Sequence, residues 1–314
     1  MSENFQRSGL IDRRNFLKRA SISTATLSAA ALAAPARITA QEKRALPTVR
    51  LGTHSITRLI AGYNPVGGFS HATPYLSRHM SEYFTVERTV EFLRHCEELG
   101  INAFQFDLCE KGRKVIDTLW SGGSKLQFIC LHSTRPGIAP LHEAVKYRPI
   151  AIAHHGGMTD AIFRAGKAQK VHDFLKEVHD LGLLAGVSSH SPANIARIED
   201  EGWETDFYMT CFHYLSRTRE EMMREFGAVI FPEPFIESDP ATMTEVMRQI
   251  DKPCLGFKIL AAGRKCGSQA TVGQAFKFAF DNIKPSDAVI VGMFPRLEDE
   301  VQYNVHHTLE HGVT

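Results

Sequence analysis

The sequence carries almost no net charge: 36 lysines and arginines stand against 35 aspartates and glutamates, a formal +1 over 314 residues. A chain this balanced has no electrostatic footprint for nucleic acid or for an anionic membrane surface, so neither is expected as a partner. It also lacks cysteines at metal or redox spacing. The six (Cys96, Cys109, Cys130, Cys211, Cys254 and Cys266) form no CxxC, and four fall in or beside apolar runs where a thiol packs as a small hydrophobe. No HExxH spacing fixes a metal site, and no linker-like stretch divides the chain. Long hydrophobic runs are missing too. The mildly apolar segment from Ala20 to Ala36 is too short for a stable membrane span.

What is present begins at the N-terminus. "DRRNFLKRASISTATLSAAALAAPA" sets Arg13 and Arg14 before Phe16, Leu17 and Lys18, then an Ala/Ser/Thr-rich run and small residues near Ala36 and Ala40. This resembles a twin-arginine export signal, against the plainer reading of a basic amphipathic first helix. The resemblance implies a signal and linker over residues 1–40 and passage through the twin-arginine translocase. It implies a periplasmic or secreted mature protein over 41–314, free of membrane after cleavage. Such substrates are generally exported folded, often with a cofactor or metal inserted, so a bound ligand is part of what it implies.

From Leu51 onward, short β-rich runs alternate with amphipathic segments. The runs cover residues 58–64, 102–107, 126–132, 150–155, 183–190, 206–213, 254–260 and 288–294. Between them lie helical patterns, one with Thr85 as N-cap and Gly100 as stop, another ending at Gly182. Eight strand-helix repeats predict an α/β fold, a single (β/α)8 TIM barrel. A ninth run, residues 228–237, is rich in proline and acid and is expected as a loop over the barrel mouth.

Active sites of this fold lie at the carboxyl ends of the strands. Asp107, His132, His154, His155, Ser188, Ser189, His190 and His213 all fall there, and Lys258 falls within the seventh run. Strand parity puts Gln105 with Asp107 and Cys130 with His132, each pair expected to point into the mouth. It also favours His155 inward, with the small Ala151 and Ala153. Neutral imidazoles at His132, His155, His190 and His213 suit zinc, iron or manganese, with Asp107 or Glu110 adding an oxygen. The plain alternative is that each histidine bonds locally.

Lys258 shares a face with small Gly256 and is a candidate Schiff-base lysine, against the plainer pairing with Asp107 or a substrate anion. Tyr63, Phe69, Phe212 and Tyr214 are candidates for stacking on a sugar, and "VGGFSH" for a lid carrying His71. Trp203, His306, His307 and His311 read as structural.

Over residues 49–305 the chain resembles the aldo/keto reductase superfamily. The pieces are "LGTHSITRLIAGYNP", "GINAFQFD", "GVSSH" and "VIVGMFPRLEDEVQYN". It also resembles an exported subgroup carrying "NPVGGFSH", "HHGG" and "FKILAAGR". The resemblance implies that Asp107 is the catalytic aspartate and that His154 or His155 is the family histidine. The family tyrosine has no counterpart in "DLCEKGRKVID", and His132 stands where the family has lysine. Ser188 and Ser189 replace its Ser-Asn, while Gly292, Arg296 and Asn304 match its nucleotide contacts.

The expected activity is acid/base chemistry, with or without a divalent metal, on a small polar carbonyl or sugar-type substrate, carried by Asp107, His132, His154, His155 and Lys258. Lyase, isomerase or hydrolase chemistry is favoured. The alternatives are an NADP-dependent oxidoreductase with a degenerate tetrad and a non-catalytic sugar-binding barrel.

Overall fold

A computed structural model describes residues 45–133 and 138–313. The export signal and its boundary lie outside the described residues.

An antiparallel hairpin comes first, β1 (Thr48–Leu51) and β2 (His54–Thr57), turning at Gly52 with φ +58°. Eight parallel strands follow: β3 (Leu59–Gly62), β4 (Ala103–Asp107), β5 (Gln127–His132), β6 (Ala151–His154), β7 (Leu184–Ser189), β8 (Phe207–Cys211), β9 (Cys254–Phe257) and β10 (Ala288–Gly292). β10 pairs with β3, so the sheet closes on itself into a (β/α)8 TIM barrel. Every apolar run read as a barrel strand is one. The hairpin was not expected, because its four-residue strands mix polar and apolar positions without a run.

The helices are α1 (Pro74–Tyr83), α2 (Val86–Glu98), α3 (Glu110–Ser121), α4 (Gly156–Arg164), α5 (Gln169–Asp180), α6 (Pro192–Asp200), α7 (Arg219–Phe226), α8 (Asp239–Gln249), α9 (Gln269–Asn282) and α10 (Glu300–His311). Their ends follow local chemistry. The Thr85 hydroxyl accepts from the Arg88 N–H at the start of α2, and Gly100 just past its end has φ +94°, a conformation that costs a residue without Cβ little. Residues 228–237 form no strand and run as a loop toward the mouth, as expected.

Alternation along the strands separates two cores. Ile60, Ala103, Ile129, Ala151, Ala153, Met209, Leu255 and Ile290 fill the barrel interior. Phe104, Phe106, Phe128, Cys130, Ile152, Val187 and Tyr208 face the helix layer. Each large side chain taken fully out of water contributes about 1.5–3 kcal/mol, so strand parity, and with it the direction of every side chain at the mouth, is held firmly.

Leu51 and Ile56 of the hairpin, both fully buried, join the interior cluster and stop the end opposite the mouth. Beside them Arg58, 2% exposed, donates to the carbonyls of Asp287 (2.9 Å), Gly312 (2.8 Å) and Lys284 (3.0 Å). It ties the start of β3 to the end of α10. All six cysteines are free thiols.

Candidate active site

Parity divides the histidines. His132 and His154 continue the outward rows of Cys130 and Ile152, contrary to the expectation that His132 points into the mouth. Both rings meet Phe174 of α5, His132 stacked at 5.8 Å and His154 edge-on at 4.9 Å. His132 Nε2 bonds the Ala139 carbonyl at 3.0 Å, and His154 Nδ1 pairs with the Thr159 hydroxyl at 2.7 Å. Burial, reinforced by His132, pushes His154 down to about 4. Cys130 is small enough to pass for an interior residue, so this direction could not be read from its row.

His155 continues the inward row of Ala151 and Ala153. It caps α4, its Nδ1 accepting from the Met158 N–H at 3.4 Å. Gly156 follows because nothing larger fits: a Cβ there would stand 2.9 Å from the Ser188 hydroxyl and 3.2 Å from His190 Cε1. The glycine brings the first turn of α4 against the end of β7.

That approach delivers Asp160, one turn along α4, to His190. One carboxylate oxygen receives the His190 backbone N–H (3.2 Å) and its Nδ1–H (2.9 Å). The other accepts from the Ser189 hydroxyl and from Asn194 Nδ2 at 3.1 Å. Burial alone would raise the Asp160 pKa, but the bond and charge of His190 and the Ser189 hydroxyl hold it below the ordinary value. Burial lowers His190, opposed by the bond to Asp160 and assisted by the charge of Lys258.

Lys258 lies one residue past β9, not within it, with φ +62°. Its Nζ sits 4.8 Å over the Phe257 ring, whose centroid is 5.7 Å from that of His190, edge-on. Facing this group from two loops is a second pair. His71 Nδ1 is 2.8 Å from Glu233, and its Nε2 is 3.2 Å from Asn64 Nδ2. The amide can only donate, so Nε2 accepts and Nδ1 carries the proton to the carboxylate. Burial would raise Glu233, but His71, Lys258 and His190 together lower it. His71 also has a left-handed backbone, φ +54°. Such conformations cost a non-glycine residue about 1–3 kcal/mol and persist where surrounding structure dictates them, commonly at functional sites.

The other expected site residues spread out. Asp107 ends β4 half-buried on the row of Ala103 and Gln105, close enough to Tyr63 and Cys130 to help raise both. His213 donates from Nδ1 to the Ile236 carbonyl at 3.2 Å under the Phe235 ring, and burial pushes it down to about 4. Among the described residues, no three His, Cys, Asp or Glu donors at the mouth lie within 4.8 Å of one another. The residues named as metal ligands therefore form no preassembled set.

Of the nucleotide contacts, Ser188 is buried under Gly156, and the Ser189 hydroxyl is spent on Asp160. Asn304 is 3% exposed on the packed face of α10. Gly292 and Arg296 stay exposed at the carboxyl end of β10, Arg296 over Tyr83 at 5.8 Å. Tyr63 and Phe212, offered for sugar stacking, are 3% and 1% exposed, while Phe69 is open at 48% and Tyr214 is half-buried.

Sequence reading missed Asp160 and Asn64. An acid one turn into a helix that starts at a strand end was the available signal for Asp160. Glu233 was legible only as one of the acids in the loop over the mouth.

No protein-family model matches the chain, and no curated protein matches it in sequence. Its fold has solved counterparts. A Pseudomonas aeruginosa protein assigned as an aldo-keto reductase is similar with a TM-score of 0.54 at 15% identity, over 87% of this chain and 99% of its own. Glycerol dehydrogenase of Gluconobacter oxydans scores 0.46 at 12%, over 84% and 95%. An N-acetylmannosamine-6-phosphate 2-epimerase from Clostridium perfringens scores 0.45 at 13%, over 80% and 92%. At such identities the likeness is one of fold, the (β/α)8 barrel.

Proposed function

We propose that the chain is an enzyme that moves a proton on a small polar carbonyl or sugar-type substrate held at the barrel mouth. The observation that carries this reading is the Asp160–His190 pair, buried at Asp160 and half-buried at His190, with Lys258 beside it. Asp160 fixes the proton on Nδ1 and leaves the Nε2 lone pair as the base, the orientation that makes an imidazole an efficient acid/base group. Its lowered pKa keeps the ring neutral near pH 7. When a proton leaves the carbon next to a carbonyl, negative charge gathers on the oxygen, and the Lys258 ammonium is the group present to meet it. Asp107 at the end of β4 and His155 just past β6, on inward rows with β5 between them, are the groups to return the proton at a second position. Isomerisation, epimerisation and elimination share this step.

The test is proton exchange. Small ketoses and hydroxyketones incubated with the protein in deuterated water gain deuterium next to the carbonyl, and His190→Asn removes the gain. A wild-type protein that exchanges none of them, or a variant that exchanges as fast, would sink the reading.

Export belongs to the same proposal, resting on Arg13 and Arg14. Replacing both by lysine is expected to hold precursor in the cytoplasm, and undiminished periplasmic accumulation would refute the assignment. The NADP-dependent reading keeps Gly292 and Arg296 in its favour. Nucleotide released on denaturing the purified protein would bring it forward.

A further inference from the structure

The chemistry proposed at the mouth leaves one group of metal-type donors unused, on α10. His307, Glu310 and His311 stand at i, i+3 and i+4, which places them on one stripe of the helix. One donor atom from each lies within 4.8 Å of the other two. Reading these histidines as structural misses that convergence, which depends on the helix running through to His311.

His307 anchors the group. It is 8% exposed, and its Nε2 is 3.2 Å from the side-chain oxygen of Gln269 at the start of α9. That oxygen can only accept, so the proton belongs to Nε2 and Nδ1 keeps a bare lone pair. Nδ1 is buried and has no hydrogen-bond partner. A Cβ on Gly273 would stand 3.0 Å from Cε1 and 3.2 Å from Nδ1, so the glycine gives the ring its seat. Beside it, Glu310 Oε2 is 3.6 Å from His311 Nε2 and 3.8 Å from His306 Nε2.

We propose that this stripe binds a first-row divalent cation of the zinc class. His307, Glu310 and His311 supply two nitrogens and an oxygen, water completes the tetrahedron, and Gln269 orients His307 from outside the ligand shell. Tetrahedral zinc places its ligand atoms about 3.4 Å apart. The Glu310–His311 pair is already near that spacing, and Glu310, its side chain 55% exposed, is free to rotate inward. The next residue, Gly312, accepts a bond from Arg58 at the stopped end of the barrel. The ion would therefore brace the last turn of α10, whose His307 is held by Gln269 of α9, away from the mouth.

The experiment is calorimetric titration of the full metal-free chain with zinc chloride, paired with thermal melting and with the visible band of cobalt(II) bound in zinc's place. Wild type is expected to take one equivalent at this site and to melt higher with zinc. His311→Ala and Glu310→Gln, both on the outer side of the stripe, should keep the metal-free melting temperature. They should lose affinity at least about 10-fold, and Gln269→Ala about 10-fold. His190→Asn should still bind zinc here, which separates this site from the mouth. The proposal is overturned if wild type takes up no zinc, or if His311→Ala and Glu310→Gln bind zinc as wild type does.

Discussion

The backbone N–H and the ring Nδ1 of His190 meet the same oxygen of Asp160, at 3.2 and 2.9 Å. Two donors on one acceptor fix both the position and the tautomer of the ring. Asp160→Asn keeps the shape and removes the charge that selects the tautomer. Turnover is expected to fall about 100-fold or more, the scale of losing a positioned acid/base group, with KM nearly unchanged. Steady-state kinetics on a substrate found by deuterium exchange would measure both, and a variant with wild-type turnover would remove Asp160 from the mechanism.

The same pair sets the pH profile. His190 acts as a base only while neutral, and its pKa lies below the ordinary histidine value. Activity should therefore hold as pH falls through the normal histidine range and decline only below it. Asp160 raises the His190 pKa, so in Asp160→Asn the remaining activity should decline at still lower pH. A decline at higher pH in the variant would contradict the assignment.

His154 and His155 are neighbours with opposite duties. His154→Ala empties space beside Phe174 and leaves the Thr159 hydroxyl only its bond to the His155 carbonyl at 3.2 Å, so it should cost about 2–4 kcal/mol of stability and little turnover per folded molecule. His155→Ala should lower turnover about 100-fold with a stability loss near the 1 kcal/mol of a helix cap. Denaturant unfolding beside kinetics separates them, and the reverse pattern would overturn the parity argument.

Gly156→Ala tests the close approach of α4 to β7. The added methyl meets the Ser188 hydroxyl at 2.9 Å, so α4 must shift and carry Asp160 away from His190. A loss of turnover larger than the loss of stability is expected. Full activity would mean that the contact is slack.

Acid should unfold the protein through its buried neutral histidines. His154 and His213 are depressed from 6.5 to about 4 in the fold. Above pH 6.5 both are neutral in either state and stability is complete. Between 6.5 and about 4 the unfolded chain binds the protons and the fold does not, so stability drains by at most about 3 kcal/mol per histidine. Unfolding free energies across that range should fall as pH falls, and His213→Asn should flatten the slope.

The barrel was legible because each strand is a continuous apolar run closed by a polar end, a pattern set by burial on both faces. The direction of His155 was legible from Ala151 and Ala153, since only small residues suit the crowded interior. His132 was not, because small Cys130 packs on the outside. Asp160 carried only the signal of an acid one turn into a helix that starts at a strand end, and spacing could not pair it. Its partner His190 is 30 residues away, and the contact exists only because α4 starts on a glycine.

Leu51 and Ile56 seal the far end of the barrel, and this has a kinetic consequence. With Ile60, Ile129, Leu255 and Ile290 filling the interior behind them, nothing passes through the barrel. Substrate and product must both use the mouth and compete there, so product should inhibit competitively.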